Sequence, residues 1–179
     1  MAIPTPYVAS RREAPAFADV CDANLTAVYR YLLYMVRNRE LAEDLASETF
    51  ERALRAWPRF DARRSSALTW LTSIARNAAL DHIRADRRRL RREQRAFLDE
   101  RPQTPAPDLE LTGELTAALS RLSDQEREVI ALRVVLELDR NEAARVIGIT
   151  PSNCATRLSR ALARLREEVT DNDGSTSES

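Results

Sequence analysis

The 179-residue chain has no lysine: each of its 28 basic side chains is an arginine. It has a single histidine, His82, and two cysteines, Cys21 and Cys154, far apart in the chain. No metal-ligand spacing exists and no disulfide framework can be drawn. Only three glycines are present, and they build no Gly-rich phosphate loop. No nucleophile is paired with a base, and His82 has no partner that would make it catalytic. The sequence therefore offers no enzyme site and implies no cofactor or metal. There is no charged n-region leading into an apolar h-region, and no apolar run long enough to span a bilayer. A cytoplasmic protein without membrane insertion is expected. Alternating Val/Ile/Thr runs bounded by turn residues are missing too, which removes strands.

What is abundant is Ala, Leu, Arg and Glu, a composition that favours helix almost throughout and predicts an all-α fold. The all-Arg basic set is most simply a matter of genome composition, although Arg also suits bidentate contact with phosphate and guanine. The net charge of zero hides strong local asymmetry. Between Arg84 and Arg95 seven arginines face only Asp86 and Glu93, a local charge of +5, whereas the chain from Glu167 onward has five acids and no base. The distribution, not the average, speaks to partners.

Prolines and periodicity divide the chain. Residues 1–15 hold three prolines and no repeat, and read as a flexible arm. Helical patterning fills a first domain, 16–98. The stretch DERPQTPAPDLE contains Pro102, Pro105 and Pro107, and marks 99–110 as a semi-stiff linker. A second helical domain spans 111–169, and 170–179 has nothing to bury and is expected to be a disordered tail. Two small helical domains on a loose tether result.

In the second domain Asp139 and Glu142 have capping-box spacing. Gly148 fits the left-handed stop of the helix they start, Thr150 can cap the next helix, and Pro151 fits its first position. This is a helix-turn-helix. On its second helix Cys154, Leu158, Ala161, Leu162 and Leu165 share an apolar face. Ser152, Asn153, Thr156, Ser159 and Arg160 face the other way, flanked by Arg157 and Arg164. A recognition helix would place the first of these against base edges and its arginines on phosphates. An ordinary helical hairpin with a solvated Arg face would give the same pattern.

In the first domain LAEDLASETFERALRAW is a strong helix whose Glu40, Asp44, Glu48 and Glu51 form an acidic stripe. Ala46, Phe50, Ala53 and Trp57 are expected to face the core. Taken alone, the stripe is a solvated face; with its apolar neighbours Leu41 and Leu45 it could also dock on a basic partner. After the polar break RFDARRSSA, the run LTWLTSIARNAALDHIRADRRRLRRE reads as one long helix with Leu71, Ile74 and Ala78 toward the core and Arg76, Asn77 and Arg84 off that face. Trp70 stands at its start beside the polar loop, where an aromatic fits either a core or a stacking surface for an unpaired base.

Together these segments resemble the extracytoplasmic-function (ECF) sigma factors of bacterial RNA polymerase. AEDLASETFERALRAWPRF is similar to the family's core-polymerase-binding segment, and LTWLTSIARNAALDHIRADRRR to its −10 recognition and melting segment. LSRLSDQEREVIALRVV followed by NEAARVIGITPSNCATRLSRALARLRE is similar to the region that reads the −35 element. The resemblance implies sigma region 2 and region 4 domains that direct core polymerase to promoters and assist melting. By motif position it implies that Asp44, Ser47, Glu48 and Phe50 face the clamp coiled coil, with the flap as a further polymerase contact. Asn77 and the loop from Phe60 to Ala67, with Asp61, Arg63 and Arg64, would hold the single-stranded −10 element together with Trp70, Arg76 and Arg84. Ser152, Asn153, Thr156, Arg157 and Arg160 would meet the double-stranded −35 element. An anti-sigma factor is an implied partner.

The chain departs from the family pattern at Ser47, usually Gln, at Ser123, usually Pro, and at Ala143, usually Ile. The recognition helix begins Asn153-Cys154-Ala155 where the family has Thr-Val-Lys/Arg, so a basic DNA contact is missing at Ala155. The alternative is a stand-alone helix-turn-helix regulator. It accounts for residues 111–169 and leaves the acidic stripe, the Trp70 loop and the Arg run without a role.

Overall fold

The computed structural model describes residues 16–96, 118–119 and 121–174, with the side chains of all of these except 93–96 and 170–174. The expected arm and linker lie outside the described residues. Helix α1 is Phe17–Val36, α2 Arg39–Ala56 and α3 Ala67–Ala96. Helix α4, Asp124–Ile130, continues into a π-helical turn, Ala131–Val135, and α5, Arg140–Ile147, is followed by α6, Pro151–Gly174. The fold is all-α, and no strand occurs among the described residues.

Several helix ends have a local cause in the sequence. Asn38 caps α2 by accepting the Leu41 N–H at 3.0 Å, just after Arg37 ends α1 in the left-handed region at φ 54°. Ser123 caps α4 and exchanges side-chain and backbone bonds with Glu126, so the serine that replaces the family's proline supplies a complete capping box instead. Asp139 and Glu142 form the second expected box, and Thr150 accepts the Asn153 N–H at 3.2 Å to start α6. Gly148 ends α5 at φ 79°, and a Cβ there would meet nothing within 4 Å. The only penalty for a side chain is thus the left-handed backbone, about 1–2 kcal/mol. Gly148→Ala should lower stability by that amount in urea titrations; no change would mean that the turn can relax without glycine.

The three N-terminal helices pack on one another around Val28, Tyr31, Leu32, Leu71 and Ala75, all fully buried. Each buried Leu or Val stabilises the fold by roughly 1.5–3 kcal/mol. The core line of α2 is Ala42, Leu45, Ala46, Thr49 and Ala53. Ala46 and Ala53 sit where the sequence puts them, but Phe50 and Trp57 are only half-buried and Leu45 and Thr49 take the interior places. Thr49 is tolerated there because its hydroxyl donates to the Leu45 carbonyl at 2.7 Å. In the C-terminal unit Leu132, Val129, Ala143, Cys154 and Ala161 are buried between α4, the π turn, α5 and α6. Burial pushes the Cys154 thiol up, as suits a small core residue.

Two expectations are corrected. Helix α6 runs on through Gly174, into the stretch read as a disordered tail, because extending a formed helix requires no new nucleus. And the two units are not loosely tethered: α3 packs on α5, and α1 packs on α4 and the π turn. The linker's prolines say how stiff the connection is; they carry no information about side chains that pair across the units.

Candidate nucleic-acid and partner-binding surfaces

Helix α2 displays its acidic stripe to solvent. Asp44 is exposed, and Glu48 is held by Arg52 at 2.5 Å, one turn on. Glu51 pairs with Arg55 in the same way at 3.2 Å. Beside the stripe lies an open groove of about 650 Å³ between α1 and α2, lined by Cys21, Leu25, Tyr29, Ala46, Ser47 and Phe50 among others. Leu25 is half exposed at its lip. Exposed i,i+4 pairs contribute only a few tenths of a kcal/mol, so the carboxylates remain available to a stronger cationic partner.

At the other end of α2 an aromatic cluster backs the loop. Phe60 stacks on Trp57 with centroids 4.9 Å apart and tilts against Trp70 at 4.9 Å, while Phe17 closes on Trp57 at 5.4 Å. Phe60 and Trp70 are both half-buried, so each has one side in the cluster. Asp61 turns the chain by accepting the Arg63 N–H at 2.9 Å, which leaves Asp61, Arg63 and Arg64 exposed at the tip. Farther along α3, Asn77 and Arg84 are exposed, with Arg84 near Asp81 at 3.7 Å.

Arg76 is different. Its side chain is only 19% exposed and lies on Glu128 of α4, which is 5% exposed, with contacts of 2.5 and 3.3 Å. Removing one partner of such a buried pair typically costs about 3–5 kcal/mol. Ser66 and Thr69 also reach across, each donating to Glu142 of α5 at 2.9 Å. Glu142 meanwhile accepts the Asp139 N–H through its other oxygen, so one carboxylate closes the capping box and joins the two units. Arg87 pairs with Asp124. The seam also buries the Tyr31 phenol beside Glu128 and Arg76; desolvation pushes its pKa up, the Glu128 charge reinforces the shift, and Arg76 opposes it. Desolvation likewise raises Tyr34, to about 12, against the opposing pull of Arg127 and Arg37. Arg37 is itself pushed down, by burial and by the like charge of Arg127.

On α6 the outward face is as expected. Ser152, Asn153, Thr156 and Arg160 are exposed and Arg157 is half-buried. Thr156 donates to the Ser152 carbonyl at 3.1 Å. Arg164 turns back to Glu126 of α4 at 3.6 Å, away from that face. A groove of about 690 Å³ runs alongside, lined by Arg133, Arg140, Arg166, Asn141 and Ser159 among others. Arg133 donates to the Leu138 carbonyl and so holds the turn that presents Arg140. Sequence reading overlooked this basic groove, and also Ser66, Thr69, Glu128 and Glu142 as cross-unit partners. Nothing in a helical repeat marks which polar residue will be covered by another unit.

Comparisons with known proteins match both units. Residues 21–89 match the Sigma-70 region 2 model and residues 112–165 the Sigma-70, region 4 model. The ECF RNA polymerase sigma factor SigM of Bacillus subtilis is 34% identical over 151 residues, covering 83% of this chain and 91% of that protein. The chain belongs to the ECF sigma factors. A second ECF sigma factor, BldN of Streptomyces coelicolor, is 37% identical over 161 residues, 86% of this chain; the chain spans only 61% of that relative's length. Among solved structures, the sigma factor RpoE of Bartonella quintana, in complex with the anti-sigma factor NepR, matches with a TM-score of 0.72 and 26% identity. That match covers 86% of this chain and 96% of the other. An ECF sigma factor is a transcription-initiation factor, not an enzyme, and the pairing of region 2 with region 4 disfavours the stand-alone regulator. No helix among the described residues is long and apolar enough to cross a membrane.

Proposed function

We propose that this sigma factor docks on core polymerase through α2, reads the −35 element as duplex through α6, and holds the −10 element as single strand along the loop and α3. The observation that carries the proposal is the separation of three chemically distinct surfaces on one small chain. The α2 surface is acidic with an apolar groove at its side: Asp44 and Glu48 would meet basic side chains of the clamp coiled coil, while Ser47 and Phe50 flank the groove. The loop surface combines exposed Asp61, Arg63 and Arg64 with aromatic backing from Phe60 and Trp70, which suits unstacked bases. The α6 surface begins with short polar side chains and ends in arginine, which suits base edges and phosphates of a major groove. Arg133, Arg140 and Arg166 in the adjoining groove would add phosphate contacts. The polymerase flap is a further contact that the family resemblance implies.

An anti-sigma factor is proposed as a further partner, by analogy with the Bartonella quintana factor bound to NepR. Cytoplasmic residence follows from the work of a sigma factor.

The α6 assignment has a direct test. Arg160→Ala should weaken binding of the polymerase–sigma complex to a matched −35 element by about 1–3 kcal/mol relative to a scrambled one. Gel-shift titration on both sequences reads this out. An equal loss on the two would make Arg160 a phosphate contact and remove it from base reading.

A further inference from the structure

Tyr34 is only 6% exposed, yet its hydroxyl has no hydrogen-bond partner. It lies near the C-terminal end of α1, which packs on α4 of the other unit. Arg127 Nε, on α4, is likewise buried and unpartnered. The charges that bear on the Tyr34 phenol are those of Arg127 and Arg37, and these two guanidinium groups repel each other. The three side chains therefore meet where α1 ends against α4. Buried donors without an acceptor oppose folding, and like charges add to that cost.

Carboxylate is scarce at this junction. Arg127 donates to Asp124 Oδ1 at 2.5 Å, but the other oxygen of Asp124 takes Arg87 of α3. Glu128, next in sequence to Arg127, is engaged by Arg76. Arg37 forms no ion pair among the described residues. It is also held in the left-handed region at φ 54°, where glycine or asparagine is less strained. A strained backbone that keeps a guanidinium in place points to a use for the side chain.

We infer that the junction of α1 and α4 is a binding site for a small oxyanion of the phosphate class, held by Arg37, Arg127 Nε and the Tyr34 hydroxyl. Such an ion has several acceptor oxygens, and guanidinium groups match them in both charge and geometry. One bound ion would accept from both unpartnered donors and offset the repulsion between the arginines. A water could accept from the donors, but it has no charge and leaves the repulsion in place. Burial of the phenol selects a free ion over a phosphate carried on a polymer, whose chain would have to enter the seam. Tyr34 and Arg37 come from one unit and Arg127 from the other, so the ion bridges them. Free phosphate then strengthens the association of the units by mass action. The site uses no residue proposed for polymerase or DNA, and stands or falls apart from those assignments.

The test is isothermal titration of the full chain with inorganic phosphate at constant ionic strength. Saturable binding of one ion per chain is expected. Arg37→Gln should weaken it at least tenfold, and Tyr34→Phe by about threefold or more. Arg30→Gln, at an exposed position on the same helix, should leave it unchanged. Circular dichroism checks that each variant folds. If Arg37→Gln does not fold, Tyr34→Phe carries the test, since it removes a single oxygen. Without phosphate it should unfold at the same temperature as the parent or higher, because an unpartnered hydroxyl is lost. With phosphate its midpoint should rise less than that of the parent. Absence of saturable binding by the parent would overturn the inference and leave the donors to water. Binding that survives both Arg37→Gln and Tyr34→Phe would overturn it by moving the ion to another arginine cluster. A loss as large in Arg30→Gln would reduce the effect to net charge and overturn it too.

Discussion

Asp44→Arg combined with Glu48→Arg is expected to abolish co-purification of core polymerase and all promoter-dependent transcription. The two positions are four residues apart and stand one above the other on α2. Asp44 is exposed and Glu48 answers only Arg52 on its own helix. Folding should therefore survive the change. The variant loses one i,i+4 pair and gains a like-charge neighbour, each a matter of a few tenths of a kcal/mol. At a desolvated docking contact the balance differs: a charge-assisted bond is lost and a repulsion replaces it, at several kcal/mol per pair. Pull-down with parent and variant chains reads the effect, and an unchanged circular dichroism spectrum separates lost docking from lost structure. Retention of polymerase by the variant would move the docking surface off this stripe.

The second large effect is expected at Asn77. It is exposed on α3, next to Arg76 and seven residues on from Trp70 of the aromatic cluster. An amide there has donors and an acceptor for the edge of one unpaired base. Asn77→Ala should slow promoter opening by roughly tenfold or more, the equivalent of one lost base contact of about 1–3 kcal/mol. The defect should depend on the identity of one −10 base and vanish on a pre-melted template. Permanganate reactivity of promoter thymines reports it. Equal reactivity for parent and variant across all base substitutions would remove Asn77 from the site.

Local chemistry is what the sequence made legible. The Asp139–Glu142 box, the left-handed Gly148 and the Thr150 cap are written within a few residues of one another, and each forms as its residue types require. The outward face of α6 follows from helical spacing alone, and Ser152, Asn153, Thr156 and Arg160 are exposed as that spacing predicts. Packing between elements was less legible. Period-3.6 reasoning gave Phe50 and Trp57 to the core, but α1 and α3 approach α2 along Leu45 and Thr49, and Trp57 turns into the aromatic cluster instead. Glu128 was invisible for the same reason. A carboxylate in an apolar stretch signals burial only once its partner is known, and Arg76 lies 52 residues away. Arg164 read as a DNA-facing flank but finds Glu126 first. The candidate surfaces were thus placed by motif and spacing, and the seam that joins two of them emerged only from the fold.

The central claim is that promoter recognition belongs to the complex of this chain with polymerase and not to the chain alone. Each proposed DNA-reading surface is small, and Arg76 and Thr69 on α3 are engaged by Glu128 and Glu142 of the other unit. Polymerase would hold the two units at promoter spacing and turn two weak contacts into one strong one. The decisive measurement is a footprint titration on one promoter fragment, selected by in vitro transcription, with the chain alone, core polymerase alone and both. The account predicts specific protection over the −35 and −10 elements only with both present. A footprint by the chain alone, as tight as with polymerase, would contradict it and restore the stand-alone regulator.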